Sequence, residues 1–111
     1  MAVSSLPGSS EIEPVLLELL GDGKEWRNRD FVDALAAHYS LTPEQLAEKL
    51  PSGRRRFYER CNFAKEDMRQ AGFVESPRRG YWRITKRGLD VLAGIVPPFP
   101  YWRNWKPPKR G

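Results

Sequence analysis

One cysteine and one histidine occur in 111 residues. A lone thiol, Cys61, cannot close an internal disulfide. With His38 it also falls short of the three or four nitrogen and sulfur ligands of a structural zinc site, so no metal site is assigned. Long apolar runs are missing too. The longest nearly apolar stretch, Val15 to Leu20, is six residues and contains Glu18, far from the roughly 20 apolar residues that cross a bilayer. The opening MAVSSLPGSS has neither the basic start nor the apolar stretch of a secretory signal, which makes the cytoplasm the expected compartment. No nucleophile has a partner base, no glycine-rich loop waits for phosphate, and no carboxylates cluster at metal spacing. Neither a catalytic residue nor a cofactor is therefore expected.

What is present is one domain's worth of chain, with 40% hydrophobic and 30% charged residues, the balance of an ordinary folded core. The charge is unevenly distributed. Residues 1–50 carry four basic and nine acidic side chains, a net of −5, whereas residues 51–111 carry fifteen basic and five acidic, a net of +10. A basic half on a small domain is the electrostatic footprint of a nucleic-acid binder. A solvated basic face, or an acidic protein partner, would account for the same charge.

Periodicity divides the chain into a loose leader (1–10), a folded domain (11–96) and a tail (97–111). Ile12, Val15, Leu16, Leu19 and Leu20 recur at helical spacing and predict a first helix stopped by Gly21. A short strand around Glu25-Trp26-Arg27 and a helix from about Asn28 to His38 follow. Thr42-Pro43-Glu44-Gln45 is a helix start, with threonine as cap, proline in the first turn and glutamine placed for a capping box; this short helix runs to Leu50. After Pro51-Ser52-Gly53 the longest helix begins at Arg54 and ends at Ala71-Gly72. Taking Phe57 as reference, Cys61, Ala64, Met68 and Ala71 lie within about 40° of it, so Cys61 reads as packing rather than as a nucleophile. Beyond Gly72 the period falls to two. Phe73–Ser76 and Tyr81–Ile84 form a hairpin around Pro77-Arg78-Arg79-Gly80, and Thr85 caps a last helix through Ile95, closed by Pro97-Pro98. The expected fold class is mainly α with a small antiparallel β-hairpin: a winged helix-turn-helix.

On the long helix Arg55, Asn62 and Arg69 point about 120–160° away from the core, with Tyr58 and Lys65 on the same flank. Arginine pairs bidentately with guanine and asparagine with adenine, so this face suits a major groove. Glu59 and Glu66 share it, as they would on a mixed-charge solvated face. Arg54, Arg55 and Arg56 at the helix start, with Ser52 before them, are expected to hold phosphates or reach base edges. Arg78 and Arg79 at the hairpin tip are expected to grip flanking backbone or minor groove. Tyr58, Phe63, Tyr81 and Trp82 are the aromatics near this face, although Trp82 alternates with Ile84 and reads as core. The expected DNA-binding residues are thus Ser52, Arg54, Arg55, Arg56, Tyr58, Asn62, Lys65, Arg69, Arg78, Arg79 and Tyr81.

The segment PSG at 51–53, Asn62-Phe63-Ala64-Lys65, and the run AGFVESPRRGYWRIT followed by Gly88 resemble the N-terminal winged-helix domain of Mrr-type restriction endonucleases, over about residues 11–95. Phe63 departs from it, standing where that family more often has tryptophan before the alanine. The resemblance implies a winged helix that precedes a separate nuclease domain of the aspartate, glutamate and lysine type, in systems that attack foreign or modified DNA. A chain of this length and pattern has no room for that nuclease. The resemblance therefore implies a reading module for double-stranded DNA, including methylated DNA, without enzyme activity of its own, and a nuclease in the C-terminal part of a parent protein. Two alternatives stay open: a winged helix that binds protein, and a stand-alone transcription regulator, which would need to dimerise on a palindromic site.

The tail, PPFPYWRNWKPPKRG, carries Arg103, Lys106, Lys109 and Arg110 and no acid. Its prolines forbid a regular helix or central strand. Both an inter-domain linker and a basic arm on the phosphate backbone fit it. Tyr101, Trp102 and Trp105 are costly to expose, so part of it is expected to be ordered against a surface.

Overall fold

Helical spacing of Ile12, Leu16 and Leu17 produces α1, Ser9–Leu19, whose buried stripe packs on the rest of the domain. This is a computed structural model and describes residues 6–108; residues 1–5 of the expected leader and 109–111 of the tail, with Lys109 and Arg110, lie outside the described residues. A 3-10 turn, Leu20–Asp22, prolongs α1, and the left-handed stop is Gly23 (φ 77°) rather than the expected Gly21. Gly21 has a packing role: a Cβ there would come within 2.9 Å of Leu92 Cδ1.

Strand β1, Trp26–Arg27, leads directly into α2, Asn28–His38, at the bounds expected from the sequence. Ser40 (φ 51°) ends α2 in the left-handed conformation, with Ser40 N–H donating to Ala37 O and Leu41 N–H to Ala36 O, a Schellman closure. Thr42 opens α3, Pro43–Ala47, through the full capping box: its Oγ1 accepts from Gln45 N–H (3.1 Å), and Gln45 Oε1 accepts from Thr42 N–H (2.8 Å). This helix does not continue to Leu50. Glu48 leaves helical geometry (φ −59°, ψ 128°), and Lys49 pairs with Arg55 in a β-bridge.

That bridge also delays the long helix. It starts at Arg56, not Arg54, and α4 spans Arg56–Gln70 with Arg55 as its cap. The residues before it are held by Leu50 N–H to Arg54 O (2.8 Å) and Arg56 N–H to Glu48 O (2.9 Å). Phe57, Cys61, Ala64 and Met68 form its buried face, each large side chain worth roughly 1.5–3 kcal/mol in removal from water. Burial pushes the Cys61 thiol up to about 12, which leaves it a protonated packing group.

Gly72 (φ 81°) closes α4, and β2, Val74–Glu75, pairs with β3, Tyr81–Ile84, in the register Val74 with Ile84. The short strand β1 completes an antiparallel sheet in the order β1-β3-β2, with Trp26 opposite Trp82 and Arg27 opposite Tyr81. Thr85 caps α5, Lys86–Leu92. The sequence carries that helix to Ile95, but Gly94 (φ 79°) turns the chain first and leaves Ile95 71% exposed. Gly88 is where α5 meets the hairpin base: a Cβ there would lie 2.2 Å from Phe73 O and 2.6 Å from Ile84 Cγ1. The architecture is mainly helical with a small antiparallel sheet, winged-helix-like.

The segment after α5 folds back over α1. Trp102 is buried, and its indole N–H donates to Glu13 Oε1 (2.9 Å), as does the Tyr101 hydroxyl (2.7 Å). Trp105 Nε1 donates to Glu18 Oε2 (2.9 Å), and Phe99 packs on Phe73 at 5.2 Å between ring centroids. Glu13 is only 1% exposed. Burial pushes its carboxyl up to about 7, against the two hydrogen bonds, while neighbouring Asp67 adds to the rise.

Candidate nucleic-acid interface

The outward face of α4 and the hairpin tip are joined by a residue the sequence reading passed over. Asn28, at the first turn of α2, donates from Nδ2 to the Tyr58 hydroxyl (2.6 Å) and accepts at Oδ1 from Lys65 Nζ (3.2 Å). Its backbone N–H donates to Gly80 O (3.1 Å), at the end of the hairpin turn. Asn28 thus touches both halves of the expected surface at once. Lys65 Nζ also donates to Asn62 Oδ1 (3.4 Å) and lies 4.5 Å from the centre of the Trp82 ring, a cation–π contact. Burial of that ammonium lowers its pKa.

The hairpin side is built around Tyr81. Arg27 Nε donates to its hydroxyl (3.0 Å), and the Arg78 guanidinium stacks on its ring with Cζ at 3.7 Å from the centroid. Arg78 Nε also meets Glu25 Oε1 at 2.9 Å. Ser76 Oγ lies within hydrogen-bond distance of Arg78 O (2.8 Å) and Tyr81 O (2.9 Å), its single proton shared between the two carbonyls, which closes the turn from inside. Tyr58, Asn62, Lys65, Arg78 and Tyr81 are therefore brought onto one connected surface, together with Arg27 and Asn28.

The remaining expected residues stand differently. Arg54 pairs with Glu59 (3.1 Å), and Arg56, partly buried, lies 2.9 Å from Glu48 Oε1 but off its N–H direction, an ion pair without a hydrogen bond. Arg69 is clasped by Glu66, whose carboxyl it holds down at about 2. Arg69 is also fourteen residues from Arg55, about 21 Å along the helix axis. Arg55 and Arg79 are exposed and make no ion pair with the described residues, while Ser52 is exposed in the turn before them and accepts from Arg54 N–H at 3.4 Å. Phe63 is 61% exposed.

Four of the six expected arginines are thus opposed by carboxylates. All four pairs keep solvent contact, with arginine side-chain exposures of 73%, 29%, 48% and 62%. Exposed pairs of this kind are worth about 0–1 kcal/mol, and a phosphate is an adequate replacement for a carboxylate. The pairs hold the guanidinium groups in place without locking them away.

Arg27, Asn28 and Glu25 carry no local signal. Asparagine at a helix start reads as a cap, and its partners are 30 and 37 residues distant. Only the pairing of β1 with β3, itself a two-residue contact, brings Glu25 beside Arg78.

Comparison with known proteins gives two findings. Residues 10–94 match the family described as the Mrr N-terminal domain. Over 87 residues the chain is 32% identical to the "Type IV methyl-directed restriction enzyme EcoKMrr" of Escherichia coli (strain K12), a match covering 78% of this chain and 29% of that protein. No solved structure matches significantly. No described helix is long and apolar enough to cross a membrane.

Proposed function

Since the chain belongs to the Mrr N-terminal domain family, we propose that it is the DNA-reading module of a restriction system, binding double-stranded DNA and acting in the cytoplasm. The observation that carries this reading is the Asn28 junction, whose hydrogen bonds tie the face of α4 to the arginine-tipped hairpin. In a winged helix, α4 enters the major groove. Asn62 and Arg69 then face base edges, with Tyr58 and Lys65 beside them. Arg54, Arg55 and Arg56, with Ser52, meet the phosphates at the helix start, and Arg78 and Arg79 follow the adjacent backbone while stacking on Tyr81 fixes the direction of Arg78. Sequence is read on α4, and the hairpin supplies grip.

The module itself is non-enzymatic in this reading, and cleavage belongs to a nuclease domain in the C-terminal part of a longer parent. The relative's description as methyl-directed extends the reading to modified duplexes.

A titration of methylated and unmethylated duplexes at two salt concentrations tests the proposal. If about five phosphates are contacted, log affinity falls against log salt with a slope of about −4.5. Arg55→Ala and Arg78→Ala then weaken all duplexes alike as phosphate contacts, whereas loss on one duplex alone marks base readout. A slope near zero, or indifference to competing random-sequence DNA, would replace this reading with that of a protein-binding winged helix.

A further inference from the structure

Beside the groove-binding surface, and sharing Arg55 and Tyr58 with it, lies a second feature. A cleft of about 220 Å³ opens between α2, α3 and the start of α4. Its floor includes Val32 and Leu46, its rim carries Arg29, Asp33 and Arg55, and Tyr58 forms one wall. The size is informative: it falls below the roughly 300 Å³ at which drug-sized ligands are held, so it admits one ring-sized group. The floor is apolar and would desolvate a flat face. Tyr58 is 40% exposed and its hydroxyl is fixed by Asn28, which makes its ring a preorganised platform rather than a mobile side chain.

The charges on the rim select among possible occupants. Arg29 and Arg55 make no ion pair with the described residues, unlike Arg54, Arg56, Arg69 and Arg78. Two guanidinium groups outside any such ion pair, set against the one carboxylate of Asp33 in charge count, flank a small apolar slot and suit the phosphates on either side of a single nucleotide. Asp33 has no partner among the described residues either. A carboxylate there would repel a bare phosphate, but it is the acceptor that an exocyclic amino group of cytosine or adenine needs.

From these observations we infer that the Arg29–Asp33–Arg55–Tyr58 cleft receives one extrahelical nucleobase bearing an exocyclic amine, stacked on Tyr58 with its flanking phosphates on the two arginines. This rests on the DNA-binding reading and adds to it a site for a base taken out of the stack. Extrusion is least costly where the base is already unpaired, so the site should show itself first on duplexes with a single-nucleotide bulge.

The test compares three duplexes by fluorescence anisotropy: fully paired, with one extrahelical cytosine, and with one extrahelical thymine. The wild-type protein is expected to bind the cytosine bulge about tenfold more tightly than the paired duplex, within what one base–aromatic stack supplies, and to favour it over the thymine bulge. Ala36→Leu fills the floor of the cleft and should abolish the preference while leaving paired-duplex affinity and its salt slope unchanged. Asp33→Asn should erase the distinction between cytosine and thymine. Should Ala36→Leu fail to fold, 2-aminopurine at the bulge gives an independent readout in the wild type: quenching on binding supports stacking, and undiminished emission overturns it. Equal affinity for bulged and paired duplexes, or a preference that survives in Ala36→Leu, also overturns the inference. Binding to none of the three duplexes would instead remove the DNA-binding reading itself.

Discussion

Replacing Glu13 by glutamine should change the pH dependence of stability in one defined window. The side chain is 1% exposed, and both of its hydrogen-bond donors, the Tyr101 hydroxyl and the Trp102 indole, address Oε1. Glutamine can place its carbonyl oxygen there and remains neutral at every pH. In the native protein the Glu13 carboxyl holds its proton up to about 7, whereas the unfolded chain, with an ordinary value of 4.5, has released it long before. The native state thus binds more protons across this interval, and stability falls as pH rises through it. Its contribution is full below about 4.5 and lost above about 7. At about 1.4 kcal/mol per pH unit, the loss is about 3 kcal/mol. Urea unfolding followed by tryptophan fluorescence, for both proteins at several pH values, isolates Glu13 together with the neighbouring Asp67, because titrations remote from them cancel in the difference. The stability of Glu13→Gln relative to wild type should climb by about 3 kcal/mol between pH 4.5 and 8. A flat difference would show that Glu13 is ionised and solvated, and that the tail does not seal it.

Other substitutions test other parts of the fold and surface. Gly88→Ala forces a Cβ to within 2.2 Å of Phe73 O, and should lower the melting temperature by more than about 10 °C, an overpacking cost of about 3 kcal/mol. Ser40→Gly relieves the one described left-handed non-glycine helix stop before the tail (φ 51°) and should raise stability by about 0.5 kcal/mol in urea titrations. Asn28→Ala leaves Lys65 and Tyr58 without their shared partner. It should cost about 1–2 kcal/mol of stability and weaken duplex binding although Asn28 need not touch DNA, whereas Asn28→Asp keeps an acceptor for Lys65 and can accept from the Tyr58 hydroxyl in turn. Unchanged affinity in Asn28→Ala would mean that the helix face and the hairpin act independently.

Where the governing interaction is local, it could be read from the chain. Thr42 and Gln45 are three residues apart and form the capping box their spacing announces; Cys61 shares a helical stripe with Phe57 and Met68 and is buried with them. The bounds of α2 and of the second hairpin strand followed from periodicity in the same way, while the first strand is shorter than the expected Phe73–Ser76. Helix ends were harder wherever two glycines competed, as with Gly21 and Gly23, because packing against Leu92 and left-handed geometry leave the same mark in a sequence. The surface was legible only as a list of cations. That Arg78 faces Glu25, or that Asn28 spans two elements, depends on contacts 30 to 53 residues apart that no periodicity encodes. Glu13 is the sharpest case. A helical wheel sets it beside Leu16 and Leu17 on the buried face of α1, but no local pattern announces the Tyr101 and Trp102 donors that the returning tail brings to it.

That returning tail also governs reach. With Trp102 seated over Glu13 and Trp105 tied to Glu18, the backbone is moored to the first helix until Trp105, so any passenger attached further along hangs from that mooring and not from the end of α5. Leash length in a fusion should be counted from residue 106 onward. Cutting both ties, with Trp102→Ala and Trp105→Ala together, would lengthen the leash by more than ten residues without adding one.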